Sequence, residues 1–82
     1  MTLITPALCR AARGLLGWNQ AELAEAANVG VNTLRNFEAE KSAPMANNLR
    51  AIETALDAAG VQLIPENGGG AGLRLKERRT PD

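Results

Sequence analysis

The chain of 82 residues contains no histidine and no tyrosine, and its aromatic side chains are limited to Trp18 and Phe37. The single cysteine, Cys9, has no partner for an internal disulfide and, without histidine, no donor set for an ordinary zinc site. We therefore predict no metal site and no cofactor. Cys9 falls within an apolar helical pattern, which predicts a buried packing residue.

Residue combinations that carry catalysis are also missing. There is no histidine to act as a general base, no acid pair in a pattern typical of a catalytic cleft, and no nucleophile beside a base. The run NGGGAG at 67–72 lies between strand-like segments and does not precede a helix with Lys and Ser or Thr, so it is a weak match to a phosphate loop. We predict no enzymatic activity and no catalytic residues.

Charge and hydropathy exclude further classes. Nine basic residues balance nine acidic ones, so the net charge does not indicate a nucleic-acid or membrane partner. No segment reaches the roughly 20 apolar residues of a membrane span, and the start of the chain lacks the pattern of a signal peptide. We expect a cytoplasmic protein without a membrane partner. The short chain leaves no room for a ligand-sensing domain, so no small-molecule ligand is expected.

What is present is a series of short amphipathic patterns separated by glycine, asparagine and proline. They predict four helices, at about 6–16, 20–27, 31–39 and 46–59. The inward positions of the first helix are Leu8, Ala12, Leu15 and Leu16. Two strand-like segments follow at 61–65 and 73–76. The expected fold is a compact all-α domain of four to five helices with a short C-terminal β-strand pair.

The second and third helices are joined by the turn Asn28-Val29-Gly30, which is typical of a helix-turn-helix. In that motif one helix enters the major groove of B-DNA and the other holds it there. The outward face of the third helix carries four residues suited to base contacts: Val31, Asn32, Arg35 and Asn36. Asparagine can pair with adenine, arginine with guanine or phosphate, and valine with a thymine methyl. The same face would also suit an ordinary solvated helix, so periodicity alone leaves both interpretations open.

The stretch at 13–44, RGLLGWNQAELAEAANVGVNTLRNFEAEKSAP, resembles the helix-turn-helix domain of phage Cro/C1-type repressors, the Xre-like bacterial regulators. The positions that match in register are Arg13, Gly17, Trp18, Gln20, Leu23, Ala24, Val29, Thr33, Leu34, Phe37, Glu38, Lys41 and Pro44. The chain departs from the pattern at three places: Asn28 replaces the usual turn glycine, Gly30 the usual serine cap, and Glu40 a frequent glycine. The resemblance covers most of residues 5–59 and implies a repressor-like fold for residues 1–60.

The resemblance also implies roles for individual residues. Base contacts are assigned to Val31, Asn32, Arg35 and Asn36. Phosphate contacts are assigned to Gln20, Thr33, Lys41, Asn47 and Asn48. Gln20 is also expected to brace the third helix. Arg13 and Glu38 match a structural ion pair between the first and third helices.

The segment at 61–76 lies outside the repressor pattern, and residues 77–82 are expected to be a flexible tail. Because unpaired strand edges bind other edges, we predict that 61–76 forms a dimer. The residues assigned to the dimer interface are Val61, Leu63, Ile64, Leu73 and Leu75. The alternative is a local hairpin that covers the core of the same chain.

We therefore expect a bacterial, sequence-specific transcriptional regulator that binds double-stranded DNA as a homodimer, most simply a repressor associated with the nucleoid. Binding of the two subunits to two half-sites about one helical turn apart would double the number of phosphate contacts. Its control would depend on its own concentration, on proteolysis or on a regulatory protein partner. The alternative is a protein-interaction adaptor or antitoxin-like module on the same fold.

Overall fold

The structure, a computed structural model, describes residues 4–64, 69–70 and 72–76. Four helices precede two antiparallel strands: α1 Pro6–Leu16, α2 Gln20–Ala27, α3 Val31–Glu38, α4 Ala46–Ala58, β1 Val61–Ile64 and β2 Gly72–Leu75. The predicted helical fold with a C-terminal strand pair is confirmed. α3 and α4 each end one residue earlier than expected, and β2 is shifted by one residue towards the N-terminus. The expected end of the first strand at Pro65 and the tail at 77–82 lie outside the described residues.

Side-chain caps explain where the first two helices begin. The Thr5 hydroxyl accepts a hydrogen bond from the Leu8 backbone N–H at 3.1 Å, and Pro6 occupies the first turn of α1. At α2, Asn19 Oδ1 accepts from the Glu22 N–H at 2.8 Å, while Glu22 Oε1 accepts from the Asn19 N–H at 2.9 Å. These bonds satisfy N–H groups that have no partner within the helix. Gly30 gives α3 no side-chain cap, as expected from the missing serine.

The first three helices are each followed by a residue in the left-handed region: Gly17 at φ 70°, Asn28 at φ 56° and Glu40 at φ 60°. After α3, the Lys41 N–H donates to the Asn36 carbonyl at 2.9 Å, which closes the last turn. The family glycines that Asn28 and Glu40 replace thus correspond to positive φ angles. An L-residue there costs about 1–2 kcal/mol, with asparagine the most tolerant non-glycine residue.

The core lies between the four helices and one face of the hairpin. Its largest fully buried side chains are Leu23, Leu34, Ile52, Leu56, Val61 and Cys9. The burial of Cys9 agrees with the prediction. The inward placement of Leu15 was wrong, since this residue is 40% exposed. At about 100° per residue, Cys9 and Ala12 place the inward stripe of α1 so that Leu15 falls at its edge.

The hairpin packs against α1 and α4 through one of its faces. Val61 pairs with Leu75 and Leu63 with Leu73, and all four belong to the core or pack against it. The opposite face carries Gln62 and Arg74, whose Nε donates to Gln62 Oε1 at 3.1 Å. The strands therefore pair within one chain, as in the local-hairpin alternative. Among the described residues, no helix is long and apolar enough to cross a membrane.

Candidate nucleic-acid interface

α3 has one exposed side and one buried side. Leu34, Phe37 and Glu38 are buried, whereas Asn32, Arg35 and Asn36 are exposed. The spacing of the exposed residues, i, i+3 and i+4, places their side chains next to one another on the helix surface. We call Asn32, Arg35 and Asn36 the exposed triplet. This is the part of α3 available to a partner.

The other two α3 residues assigned to DNA are less accessible. Val31 is half-buried and packs against the core at the start of the helix, and Thr33 is half-buried. Arg35 Nη1 donates a hydrogen bond to Asn32 Oδ1 at 2.8 Å, so two members of the exposed triplet are already joined. Among the described residues, the Asn36 amide makes no side-chain hydrogen bond.

Small residues bring α2 close to its neighbours. α2 contacts both α3 and α4, and its inward positions Leu23, Ala24 and Ala27 are buried. Alanine side chains at a helix crossing let the backbones approach closely, since they occupy little volume. α2 thus supports α3 from behind, which leaves the exposed triplet free.

One buried carboxylate joins three helices. Glu38 of α3 is 4% exposed, and its oxygens accept hydrogen bonds from side chains of α1 and α2. Arg13 donates twice, from Nε to Oε2 at 2.7 Å and from Nη2 to Oε1 at 2.6 Å. Gln20 Nε2 donates to Oε1 at 3.0 Å, and Cys9 Sγ donates to Oε2 at 3.1 Å. We call these four residues the Glu38 cluster.

Two further arginine contacts surround this cluster. The Arg10 guanidinium donates to the backbone carbonyl of Glu38, the last residue of α3. A cation at this position is stabilised by the negative end of the helix dipole. Arg13 Nη1 donates to the Trp18 carbonyl at 3.2 Å, beyond the end of α1. The resemblance implied the pairing of Arg13 with Glu38, but the contacts of Cys9 and Arg10 with Glu38 were not predicted. For Cys9, helical spacing could have indicated the contact, since Cys9 and Arg13 are four residues apart and lie on one face of α1.

The protonation states follow from this geometry. Burial opposes the charge of Glu38, but the hydrogen bonds from Arg13, Gln20 and Cys9 and the charge of Arg13 outweigh it, so the pKa of Glu38 lies below its ordinary value. The hydrogen bond to Glu38 raises the pKa of Arg13. Burial, and then the hydrogen bond to Glu38, raise the pKa of Cys9 well above its ordinary value. Cys9 is therefore a neutral donor and not a nucleophile.

The candidate phosphate contacts come from three places in the fold. Gln20 opens α2 and already donates one side-chain N–H to Glu38. Lys41 is exposed in the loop after α3, and in the first turn of α4 Asn47 is exposed while Asn48 is half-buried. The bond from Gln20 braces α3, as the resemblance implies. Contacts of these residues with phosphate stay a prediction.

The candidate dimer residues divide between the two faces of the hairpin. Val61 is buried in the chain's own core, and Leu63, Leu73 and Leu75 are half-buried and pack against that core. Ile64 is half-buried but alternates to the face that carries Gln62. Val61 therefore has almost no surface left for a second copy, whereas Ile64 keeps some. Dimerisation through these residues stays a prediction.

Comparison with known families agrees with the fold. Residues 10–60 match the sequence model of a family described as helix-turn-helix, of the Cro/C1 type. The match begins inside α1 and runs past the end of α4, so it contains the exposed triplet and all of the Glu38 cluster except Cys9. A search of curated proteins finds no match to the chain.

The state of Glu38 predicts how stability depends on pH. Because the folded pKa lies below the unfolded value of about 4.3, Glu38 stabilises the fold fully above that value. This contribution is lost as the pH falls through the folded pKa. The free energy of unfolding of the wild type, measured by urea denaturation, should therefore fall more steeply between pH 6 and pH 3 than that of Glu38→Gln.

The matched control is Glu25→Gln, because Glu25 is exposed and has no side-chain hydrogen bond among the described residues. This variant should keep the pH dependence of the wild type. Parallel pH profiles for the wild type and Glu38→Gln would show that the carboxylate does not stabilise the fold through its charge.

Proposed function

The chain belongs to the Cro/C1-type helix-turn-helix family of DNA-binding regulators, and from this premise we propose that it is a homodimeric repressor whose α3 reads an operator half-site. The observation that carries the proposal is the exposed triplet on a helix whose other side is fixed by the Glu38 cluster. Polar side chains on a rigidly held helix are what sequence reading in a major groove requires.

The dimensions of α3 suit a major groove. The helix has 8 residues, which correspond to about 12 Å at 1.5 Å per residue. The major groove of B-DNA is about 12 Å wide, and an α-helix with its side chains is about 10–12 Å in diameter, so α3 can lie within it. In this position Val31, Asn32, Arg35 and Asn36 would face base edges. Thr33, Gln20, Lys41, Asn47 and Asn48 would meet the phosphates on either side.

The distribution of cations favours binding by two copies. Arg10 and Arg13 donate to Glu38, which removes them from the pool of free charges. Arg35 and Lys41 remain exposed on and just after α3. Each phosphate that a cation neutralises adds about −0.9 to the slope of log K against log salt, so the electrostatic part of the affinity grows with the number of such contacts. With few free cations, one subunit would bind weakly. Linking two subunits on two half-sites multiplies the affinity without new kinds of contact.

We assign dimerisation to the hairpin, with residues 1–60 as the DNA-reading part, 61–76 as the dimerisation element and 77–82 as a tail. A two-stranded sheet has unpaired outer edges, and such edges bind further strands. Ile64 supports this assignment because its side chain is apolar and lies on the face turned away from the core-packing residues. Leu63, Leu73 and Leu75 contribute through the surface that their own core leaves uncovered.

The first test concerns base reading. An operator is selected from random duplex DNA with the wild type, and affinities are measured on the operator and on unrelated DNA. Asn36→Ala should weaken operator binding by about 1–3 kcal/mol and leave binding to unrelated DNA nearly unchanged. Asn47→Ala is the matched control, since the same amide is lost at a proposed phosphate contact, and it should weaken both alike.

Equal losses for Asn36→Ala on operator and unrelated DNA would contradict its base-reading role. A wild type that shows no salt-dependent binding to any duplex would instead support the protein-interaction adaptor or antitoxin-like alternative.

The second test concerns the dimer. Ile64→Arg should convert the protein to a monomer by sedimentation and lower operator affinity by about 10²–10⁴-fold, because a buried charge at the interface is costly to desolvate. Its melting temperature should change little, since Ile64 does not pack on the core. Leu63→Arg should lower the melting temperature as well, because Leu63 also packs on the core. Thr54→Arg, at an exposed α4 position, should change neither the sedimentation nor the melting temperature. A wild type that sediments as a monomer while binding a two-fold operator would contradict the assignment.

A further inference from the structure

The hydrogen bond within the exposed triplet carries a finer assignment, which rests on the proposed function. Arg35 Nη1 donates to Asn32 Oδ1 at 2.8 Å, and both residues are exposed. We propose that Asn32 is a positioning residue for Arg35, and that the two side chains act as one unit that selects a guanine. In this assignment Asn36, not Asn32, is the asparagine that reads an adenine.

The donor and acceptor inventory explains the choice of base. An asparagine amide offers one oxygen acceptor and one NH₂ donor, and a guanidinium offers only donors. With the Asn32 oxygen turned to Arg35, the groups that contact the base are the remaining N–H groups of Arg35, all of them donors. Guanine presents two acceptors in the major groove, N7 and O6, whereas adenine presents one acceptor and one donor. A surface made of donors therefore fits guanine and opposes the adenine N6 amino group.

The same bond removes Asn32 from adenine reading. A two-bond contact with adenine needs the asparagine oxygen to accept from N6 while its NH₂ donates to N7. In this structure the Asn32 oxygen already accepts from a cation, which would also repel the partly positive N6 amino group. Asn36 differs, since its amide makes no side-chain hydrogen bond among the described residues and can present both groups.

The pair also lowers the entropy lost on binding. A free arginine side chain samples many rotamers, all but one of which are lost when it docks on a base. The bond to Asn32 restricts the guanidinium before DNA arrives. Positioning of this kind requires the acceptor oxygen of Asn32 but not its NH₂ group. A carboxylate at the same place would therefore support Arg35 equally well.

The consequence is a testable base pattern in the operator. Arg35 is held at Asn32. Asn32 and Asn36 are four residues apart, so their Cβ atoms lie about 5–6 Å apart, which corresponds to one or two base steps. Each half-site should therefore contain a guanine read by Arg35 within two base pairs of the position read by Asn36. Variants of Asn32 and Arg35 should relax the sequence preference at that same guanine.

The experiment compares affinities for two DNAs: the selected operator, and a version in which the guanine–cytosine pair is replaced by adenine–thymine. Both are measured with the wild type, Asn32→Ala, Arg35→Ala, the double variant and Asn32→Asp. Arg35→Ala should lose the preference for guanine, about 5- to 150-fold for a good bidentate contact. Asn32→Ala should lose part of the same preference and have no further effect in the Arg35→Ala background. Asn32→Asp should keep the preference, although its added charge weakens binding to all DNA alike.

The proposal would be overturned if Asn32→Ala and Arg35→Ala changed the preference at different base pairs and their effects multiplied in the double variant. Loss of the guanine preference in Asn32→Asp would also overturn it. Circular dichroism verifies that each variant is folded, which is expected for exposed residues. The wild-type arm reports on the proposed function and the variant arms on the pair. A sequence-specific wild type with independent Asn32 and Arg35 effects contradicts the pair alone, whereas a wild type without sequence preference overturns both.

Discussion

The carboxylate of Glu38 is the group on which the arrangement of the first three helices depends. It is 4% exposed, and it accepts hydrogen bonds from Arg13 and Cys9 on α1 and from Gln20 on α2. Burying a carboxylate is unfavourable unless charge and hydrogen bonds compensate, and here both of its oxygens are occupied by donors. Apolar side chains of similar volume could fill the same space, but they would not demand one relative orientation. We therefore expect these directional bonds to help determine the angle at which α3 meets α1 and α2.

This internal use of polar groups shapes the proposed DNA-reading surface. Arg10 and Arg13 contact Glu38, which leaves Arg35 and Lys41 as the exposed cations on and just after α3. We expect this to limit the affinity of one subunit for DNA. In the proposed function, sequence selection depends on the geometry of a few side chains held by a rigid helix, and the strength of binding depends on a second copy. The hairpin contributes one face to the core of its own chain, which leaves only its other face and its edges for such a partner.

Local rules predicted much of the fold from the residues. Thr5 with Pro6, and Asn19 with Glu22, marked two helix starts because their caps involve only neighbouring residues. The resemblance pointed to Arg13 and Glu38, whose ion pair is present. It could not reveal the Cys9 and Arg10 contacts or the exposure of Leu15, because those depend on how α1 is rotated against α3. The bond between Arg35 and Asn32 was equally hidden, since an i, i+3 spacing permits a contact without requiring it.

A double-mutant cycle on Arg13 and Glu38 tests the central claim most directly. Unfolding free energies are measured for the wild type, Arg13→Ala, Glu38→Ala and the double variant, with the exposed Lys76–Asp57 ion pair as the reference cycle. Each single change in the cluster should destabilise the fold by more than about 1 kcal/mol, with a coupling energy of about 1–3 kcal/mol. The reference pair should couple by less than about 1 kcal/mol. If the effects of Arg13→Ala and Glu38→Ala add within about 0.5 kcal/mol, the claim that this carboxylate holds the first three helices together is contradicted.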